Sequence, residues 1–518
     1  MQPHQQIRPD RDEFDALASQ WPLVPVWTEL LADVSTPVGL FHALAGDGPG
    51  ILLESVERSE RWGRFSFVAG DPAALIVADE RGVRIEAQAR DLPIAVPESP
   101  SQPREALRSV AQALLGPRVE ALPALTGGLM GVLSYEAAHL LDGHPYPSGD
   151  GPGGLPPCPP ITLQVIDRAV VFDHWRQRLL LVAHVPAGGY DEGVAALEDL
   201  AERVGGAVAP APAPLPSSSA IDIGLGETNM TDERFVQIVR DFKEHILAGD
   251  IFQGVPSRRV AFPAPDGGFP IYRRLRVSNP SPYMFYVRQP GMELAGSSPE
   301  PLVRVEGRRV STRPIAGTYA RGADEQEDLA LERKLLADPK ELAEHAMLVD
   351  LARNDIGRVC TAGTVEPTEL MVVERFSRVM HIVSTVEGDL ADGLDPLDAL
   401  AVTFPAGTVS GAPKRRAMEL IAEAEPTARG PYAGAVGYLT FAGDLDFCIT
   451  IRTAVIADGI ATVQSGGGIV ADSDPETELR ESKAKASGLM PAVAGPASTP
   501  RASASGENDP AADTGALR

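Results

Sequence analysis

The chain has 518 residues, with 46 basic against 71 acidic side chains and a formal net charge of −25. A surplus of that sign repels phosphate backbones and anionic bilayers, which excludes nucleic acid and membrane surfaces as partners and points to a soluble protein of the cytoplasm. Cys158, Cys360 and Cys448 are scattered without C-x-x-C spacing, so neither a disulfide framework nor a zinc site is expected.

The polar N-terminus lacks an apolar signal core, and no apolar run approaches the ~18 residues of a membrane span. Residues 50–55, 65–69, 74–78 and 83–87 are short apolar or alternating runs separated by Gly, Asp and Pro, the pattern of antiparallel strands. A weak helical period covers 104–115, a strand at 129–134 runs into a helix at 135–141, and 161–172 with 179–184 reads as a hairpin before a helix at 190–204. GGAVAPAPAPLPSSS (205–219) cannot propagate a helix, so 205–224 is expected to link an N-terminal region, 1–204, to a second domain, 225–490.

Beyond it, Thr231 caps a helix with Phe235, Ile238, Val239, Phe242 and Ile246 in helical period until Gly249 stops it. Strands are expected at 255–260, 283–287, 302–305 and 379–386. Asp338-Pro339 with Glu341 is a D-x-x-E variant of the capping box and starts a helix to about 354; further helices cover 396–403 and 414–424. A meander of 435–441, 446–456 and 460–465 delivers the chain to QSGGGIVADSDPETELRESKAK (464–485). The tail, 491–518, is rich in Ala, Ser, Gly and Pro and is expected to be disordered.

Five features carry chemistry. Gly466, Gly467 and Gly468 would let backbone N–H groups approach a ligand. They also fit G-x-G-x-x-A, but the helix after them starts at Pro475 and too little chain follows for a dinucleotide-binding unit. Two helices with a Pro start each carry E-x-x-E, Glu341 with Glu344 and Glu478 with Glu481; they are either solvated faces or, facing each other, an oxygen-only nest for a hard cation such as Mg²⁺. Arg452, on the polar face of the 446–456 strand, suits a bidentate carboxylate or a structural ion pair. Thr408, Ser410 and Gly411 before Lys414 form an anion pocket or an ordinary capped loop, and His381 on an apolar strand is a core histidine or a catalyst. There is no G-x-S-x-G or G-x-C-x-G elbow, so hydrolase and glutaminase chemistry have no seat.

Taken together, GDIFQGVPSRR (249–259), NPSPYMF (279–285), GSSPEPL (296–302), RPIAGT (313–318), ELAEHAMLVDLARNDIGRV (341–359), FPAGTVSGAPK (404–414), CITIRTA (448–454) and the 464–486 segment resemble the chorismate-utilising enzymes. Within them the chain is most similar to the anthranilate synthase component I family. LLES (52–55) with GRFSF (63–67) resembles that family's tryptophan-binding region. The fold this implies is α+β, with large antiparallel β-sheets packed as a sandwich and helices outside; the strand reading above agrees.

The resemblance also implies a reaction, the first committed step of tryptophan biosynthesis. A large subunit with Mg²⁺ converts chorismate and ammonia to anthranilate and pyruvate. Because no glutaminase nucleophile is present, the ammonia would come from a glutamine amidotransferase subunit (component II), in an assembly of two large and two small subunits. Carried over by residue, Glu344 and Glu478 would bind Mg²⁺ with Glu341 and Glu481 assisting. Thr408, Tyr432, Arg452, Gly466, Gly467, Gly468 and Lys485 would line the chorismate site. Glu300 would protonate the departing C4 hydroxyl, which needs a raised pKa, and His381 matches a histidine linked to pyruvate elimination. Glu54, Ser55, Pro282, Tyr283, Met284 and Tyr438 match the pocket where tryptophan acts as feedback inhibitor.

Two positions discriminate among relatives. Those that add water place a lysine base where Gln253 stands, and ammonia needs no such base. Aminodeoxychorismate synthase component I has a nucleophilic lysine where this chain has Ala316. That enzyme and a non-catalytic tryptophan-sensing relative are the alternatives.

Overall fold

The computed structural model describes residues 6–55, 63–94, 96, 103–143, 158–208, 210–213, 215–216, 226–375 and 379–493. Their strands form two antiparallel sheets of 11 strands each and a short pair, Gln253–Gly254 with Gly411–Ala412, and both large sheets take strands from either side of the 205–224 segment. In the first, Gly50–Glu54 lies beside Tyr283–Gln289, which continues through Met292–Ser298, Thr453–Ala457 and Ile460–Gly466 to Ser257–Pro263. In the second, Pro301–Glu306 lies beside Leu445–Ile449, which pairs on its other edge with Ala435–Thr440, and that strand joins Gly128–Leu133 of the N-terminal half.

The alternation that predicted strands also explains how they stack. Phe67, Met130, Val132, Phe285, Val436, Cys448 and Val455, drawn from both sheets, form one buried cluster between them. The outer faces are covered by helices; Phe41, Leu197, Tyr272 and Leu275, for example, bury against the first sheet. The architecture is α+β, as expected.

Several elements differ from the sequence expectation in informative ways. The 161–172 run is two strands, Ile161–Ile166 and Arg168–Asp173, which belong to different sheets. The 446–456 run is likewise Leu445–Ile449 in the second sheet and Thr453–Ala457 in the first. Between them Arg452 adopts φ 49°, the left-handed region that a long unbranched side chain tolerates only at a cost. Alternation cannot reveal such a crossing, because both halves keep the same period. The helices Pro37–Ala45, Gly268–Ser278 and Glu325–Leu335 and the strand Glu366–Arg375 were outside the expected elements. Asp338 caps the Pro339–Gly357 helix through the amides of Lys340 and Glu341, but Glu341 does not return the bond, which leaves its carboxylate free for other use. Half of 205–224 and the tail beyond 493 lie outside the described residues; the start of the expected disordered tail, 491–493, instead belongs to the Met490–Val493 helix, where Ala492 and Val493 are buried.

Candidate active site

The Ile460–Gly466 strand runs into the three glycines and then into the Pro475–Ser487 helix, which Asp474 caps through the Thr477 amide. Ser465 Oγ donates to the Ser482 carbonyl at 2.9 Å and seats this helix on the strand. The glycines answer a packing demand. A Cβ at Gly466 would meet the Pro256 carbonyl at 2.5 Å, one at Gly467 the Glu478 carboxylate at 2.9 Å, and one at Gly468 the Gln253 amide at 2.4 Å. The run therefore lets Gln253, buried at 4% exposure, and Glu478 close onto the same stretch of backbone.

Opposite stands the Pro339–Gly357 helix. Fully buried His345 bonds Ser384 Oγ at 2.6 Å and sets the helix rotation. Burial, then Glu344, Asp338 and Glu481, raise the pKa of Glu341. Burial raises Glu478 as well, with Glu481 adding to it, against the Ser473 hydroxyl that donates to it at 2.7 Å. Glu341 thus feels Glu481 across the gap, and the two E-x-x-E faces confront each other. Among the described residues no three His, Cys, Asp or Glu side chains are grouped so that they could hold a metal ion by themselves, so an ion here would rest on fewer protein ligands, water and a substrate anion. Half-buried Glu341 and Glu478, whose pKa values are raised, together with Glu344 and exposed Glu481, supply only oxygen donors and leave an open side, a donor set that suits a Mg²⁺ ion keeping waters and sharing a substrate anion.

A third group lies at the seam between the sheets. Glu300 is pushed up to about 7 by burial, against the Thr408 hydroxyl and the Arg452 guanidinium, which favour its charged form. The Ile449 amide donates to the Glu300 carbonyl at 3.0 Å, so the strand leading to Arg452 also holds the Glu300 backbone. The Arg452 pKa is lowered by burial and raised by Glu300. His381 is held down to about 4 by burial and by Arg452, and its Nδ1 bonds the Gly317 carbonyl at 3.1 Å. The imidazole is therefore neutral at pH 7. An arginine held at the seam beside a protonatable carboxyl and a neutral histidine can receive a substrate carboxylate and hand over a proton next to it.

The comparisons with known proteins agree with this geometry. The family model for chorismate binding enzyme matches residues 59–491. The chain belongs to the chorismate-binding enzyme family. It is 46% identical to anthranilate synthase component 1 of Streptomyces coelicolor, over 94% of this chain and 92% of that one. It is 40% identical to the protein of the same name from Acetivibrio thermocellus, over 94% and 98%. The crystal structure of anthranilate synthase component I from Streptococcus pneumoniae superposes with a TM-score of 0.71 at 33% identity, covering 89% of this chain and 99% of that one.

The remaining expected residues of this chorismate-binding enzyme fall into three groups. Tyr432 is buried at 8% exposure, its hydroxyl pushed up to about 12 by burial. Lys485 pairs with Glu481 at 2.7 Å and donates to the Gly466 carbonyl at 3.1 Å, tying the glycine run to the acidic helix. Lys414 is no anion ligand here: its ammonium is taken up by Asp355 and the carbonyls of Val402 and Thr403, each at 3.2 Å.

The six residues expected to bind tryptophan lie where Gly50–Glu54 and Tyr283–Gln289 pair, with Met284 opposite Glu54, and where Tyr438 pairs with Asp446. Pro282 is buried beside them, and the Ser55 hydroxyl is buried without a partner among the described residues. Glu54 accepts from Tyr272 at 2.5 Å and pairs with Arg276 at 2.7 Å. Sequence reasoning missed Asp446, whose carboxyl is pushed up to about 6 by burial while Arg304, Tyr283 and Tyr438 hold it down. Its one signal was an acid inside an otherwise apolar strand.

Proposed function

We propose that this chain converts chorismate and ammonia to anthranilate and pyruvate, as the large subunit that receives ammonia from a glutamine amidotransferase or uses free ammonium. The observation that carries the reading is the raised pKa of Glu300 facing Arg452 and neutral His381, in a chain that has Gln253 and Ala316 at the two discriminating positions.

Arg452, Thr408 and the backbone of Gly466 to Gly468 orient the carboxylates of chorismate beside Glu300. Mg²⁺, held by Glu344 and Glu478 with Glu341 and Glu481, would neutralise the ring carboxylate. Neutral ammonia is nucleophilic enough to add at C2 before losing a proton, and the resulting ammonium then sheds its proton to solvent; Gln253, an amide, offers no proton acceptor of the strength that attack by water would need. Glu300, half protonated near pH 7, gives its proton to the C4 hydroxyl as that group leaves. Loss of the C2 proton and of the enolpyruvyl group as pyruvate then makes the ring aromatic, and neutral His381, whose Nδ1 bonds the Gly317 carbonyl, handles a proton in that elimination. Tryptophan binds at the Glu54, Ser55, Tyr283, Met284 and Tyr438 cluster and inhibits from there, and two such chains assemble with two amidotransferase subunits.

The purified chain, given chorismate, Mg²⁺ and ammonium, should release pyruvate, and Glu300→Gln should lower that rate by at least about a hundredfold. A variant as fast as the unmodified chain removes Glu300 from the chemistry.

A further inference from the structure

We infer that Arg429 is a positioning residue for the chorismate pocket, its guanidinium holding in one arrangement the segments that carry Gln253, Thr408, Tyr432 and Gly466; this rests on the function proposed above. Arg429 is the largest of the fully buried side chains, 1% exposed. Its Nε donates to Glu425 Oε2 at 3.0 Å and its Nη2 to Glu425 Oε1 at 2.6 Å. The other two bonds leave that pair. Nη1 donates to the carbonyl of Val409, next to Thr408, at 2.8 Å, and Nη2 to the carbonyl of Val255, two residues from Gln253, at 2.6 Å. The face of the guanidinium lies 5.6 Å from the Tyr432 ring centre, with the Tyr135 ring at 4.6 Å.

The partner carboxylate extends the same network. Glu425 Oε1 also accepts from the Ser257 amide at 2.8 Å and the Ser257 hydroxyl at 2.9 Å. Gln464 Nε2 donates to that hydroxyl at 2.8 Å, and Ser257 pairs directly with Gly466 in the sheet. One buried ion pair therefore reaches four separate site segments. Replacing such a pair by apolar groups of similar size is often neutral or stabilising in other proteins, so stability does not explain it. Geometry does: only a planar fork of donors can satisfy one carboxylate and two carbonyls from different loops at once. Arg429 acts through Thr408, Tyr432 and the glycines.

Arg429→Lys keeps the charge and loses the fork. It should raise KM for chorismate about tenfold while kcat stays within about threefold, because the pocket residues it sets bind ground and transition states alike. The two effects of Arg429→Lys and Thr408→Ala on KM should combine to clearly less than their product, since both act through one contact. Ser257→Ala, which leaves every charge paired, should raise KM in the same direction and keeps the test open if Arg429→Lys does not fold. Amide exchange at 253–257 and 408–410 should quicken in both variants. A lowered melting temperature with unchanged KM, or effects that multiply in full, would overturn the positioning role alone. An unmodified chain that leaves chorismate untouched would overturn the function, and this role with it.

Discussion

Glu300 shows how a single residue can be tuned against stability. Burial moves its carboxyl from 4.5 to about 7, so the fold prefers it neutral. The sign follows: the contribution is complete below the unfolded value of 4.5 and is lost as pH rises through about 7. At about 1.4 kcal/mol per pH unit the loss comes to about 3 kcal/mol. Glu300→Gln has nothing to titrate there. Its unfolding free energy relative to the unmodified chain should therefore improve by up to about 3 kcal/mol between pH 4.5 and pH 8, in denaturant titrations at both pH values, even as activity is lost. An offset that does not change with pH would mean that the carboxyl keeps its ordinary pKa in the fold. With Glu300 as the proposed acid, the same protonated fraction sets the rate, and kcat/KM for chorismate should fall above about pH 7.

At the scale of elements, the glycine run and the two acidic helices were legible because their signals are local. Asp474-Pro475 and Asp338-Pro339 announce helix starts, and E-x-x-E places both carboxylates on one face. The break at Arg452 was not legible, since a strand that changes sheets keeps its alternation; only long-range partners such as Ser297, whose amide donates to the Arg452 carbonyl at 3.1 Å, reveal it. The choice between an anion pocket and a capped loop at Lys414 stayed open for a related reason. Its spacing from Thr408 suggested an anion site, while its actual partner, Asp355, lies on a distant helix. The glycines themselves make a graded prediction. Gly466→Ala drives a methyl against the Pro256 carbonyl, which is backbone and cannot yield, and should destabilise by about 2 kcal/mol or more in thermal melts. Gly467→Ala meets only the end of the Glu478 side chain and should cost under about 1 kcal/mol while weakening Mg²⁺ dependence. Equal costs at the two positions would refute the close-approach account.

For the whole molecule, the proposed chorismate and Mg²⁺ residues, Gln253 to Lys485, all come from the chain after residues 205–224, while the proposed tryptophan cluster joins Glu54 and Ser55 before that segment to Tyr283, Met284 and Tyr438 after it. Strands from either side of residues 205–224 meet once in each sheet, Gly50–Glu54 beside Tyr283–Gln289 and Gly128–Leu133 beside Ala435–Thr440, and the proposed site lies where the chain passes from one sheet to the other. The sandwich and its helical cover followed from alternation and resemblance; the order of strands did not, because antiparallel partners far apart in sequence carry no mutual mark. The assembled site predicts a linkage between metal and fold. Mg²⁺ at a hundredfold excess over its dissociation constant should stabilise the chain by about 2.7 kcal/mol, seen as a raised melting temperature that a chelator reverses and Glu478→Gln removes. A Glu478→Gln variant that Mg²⁺ stabilises as much as the unmodified chain would place the ion elsewhere. Most direct of all is the fate of nitrogen. When the unmodified chain is given chorismate, Mg²⁺ and ¹⁵N-ammonium, mass spectrometry should find labelled anthranilate and an equal amount of pyruvate. Labelled aminodeoxychorismate, or unlabelled isochorismate or salicylate, would contradict the account.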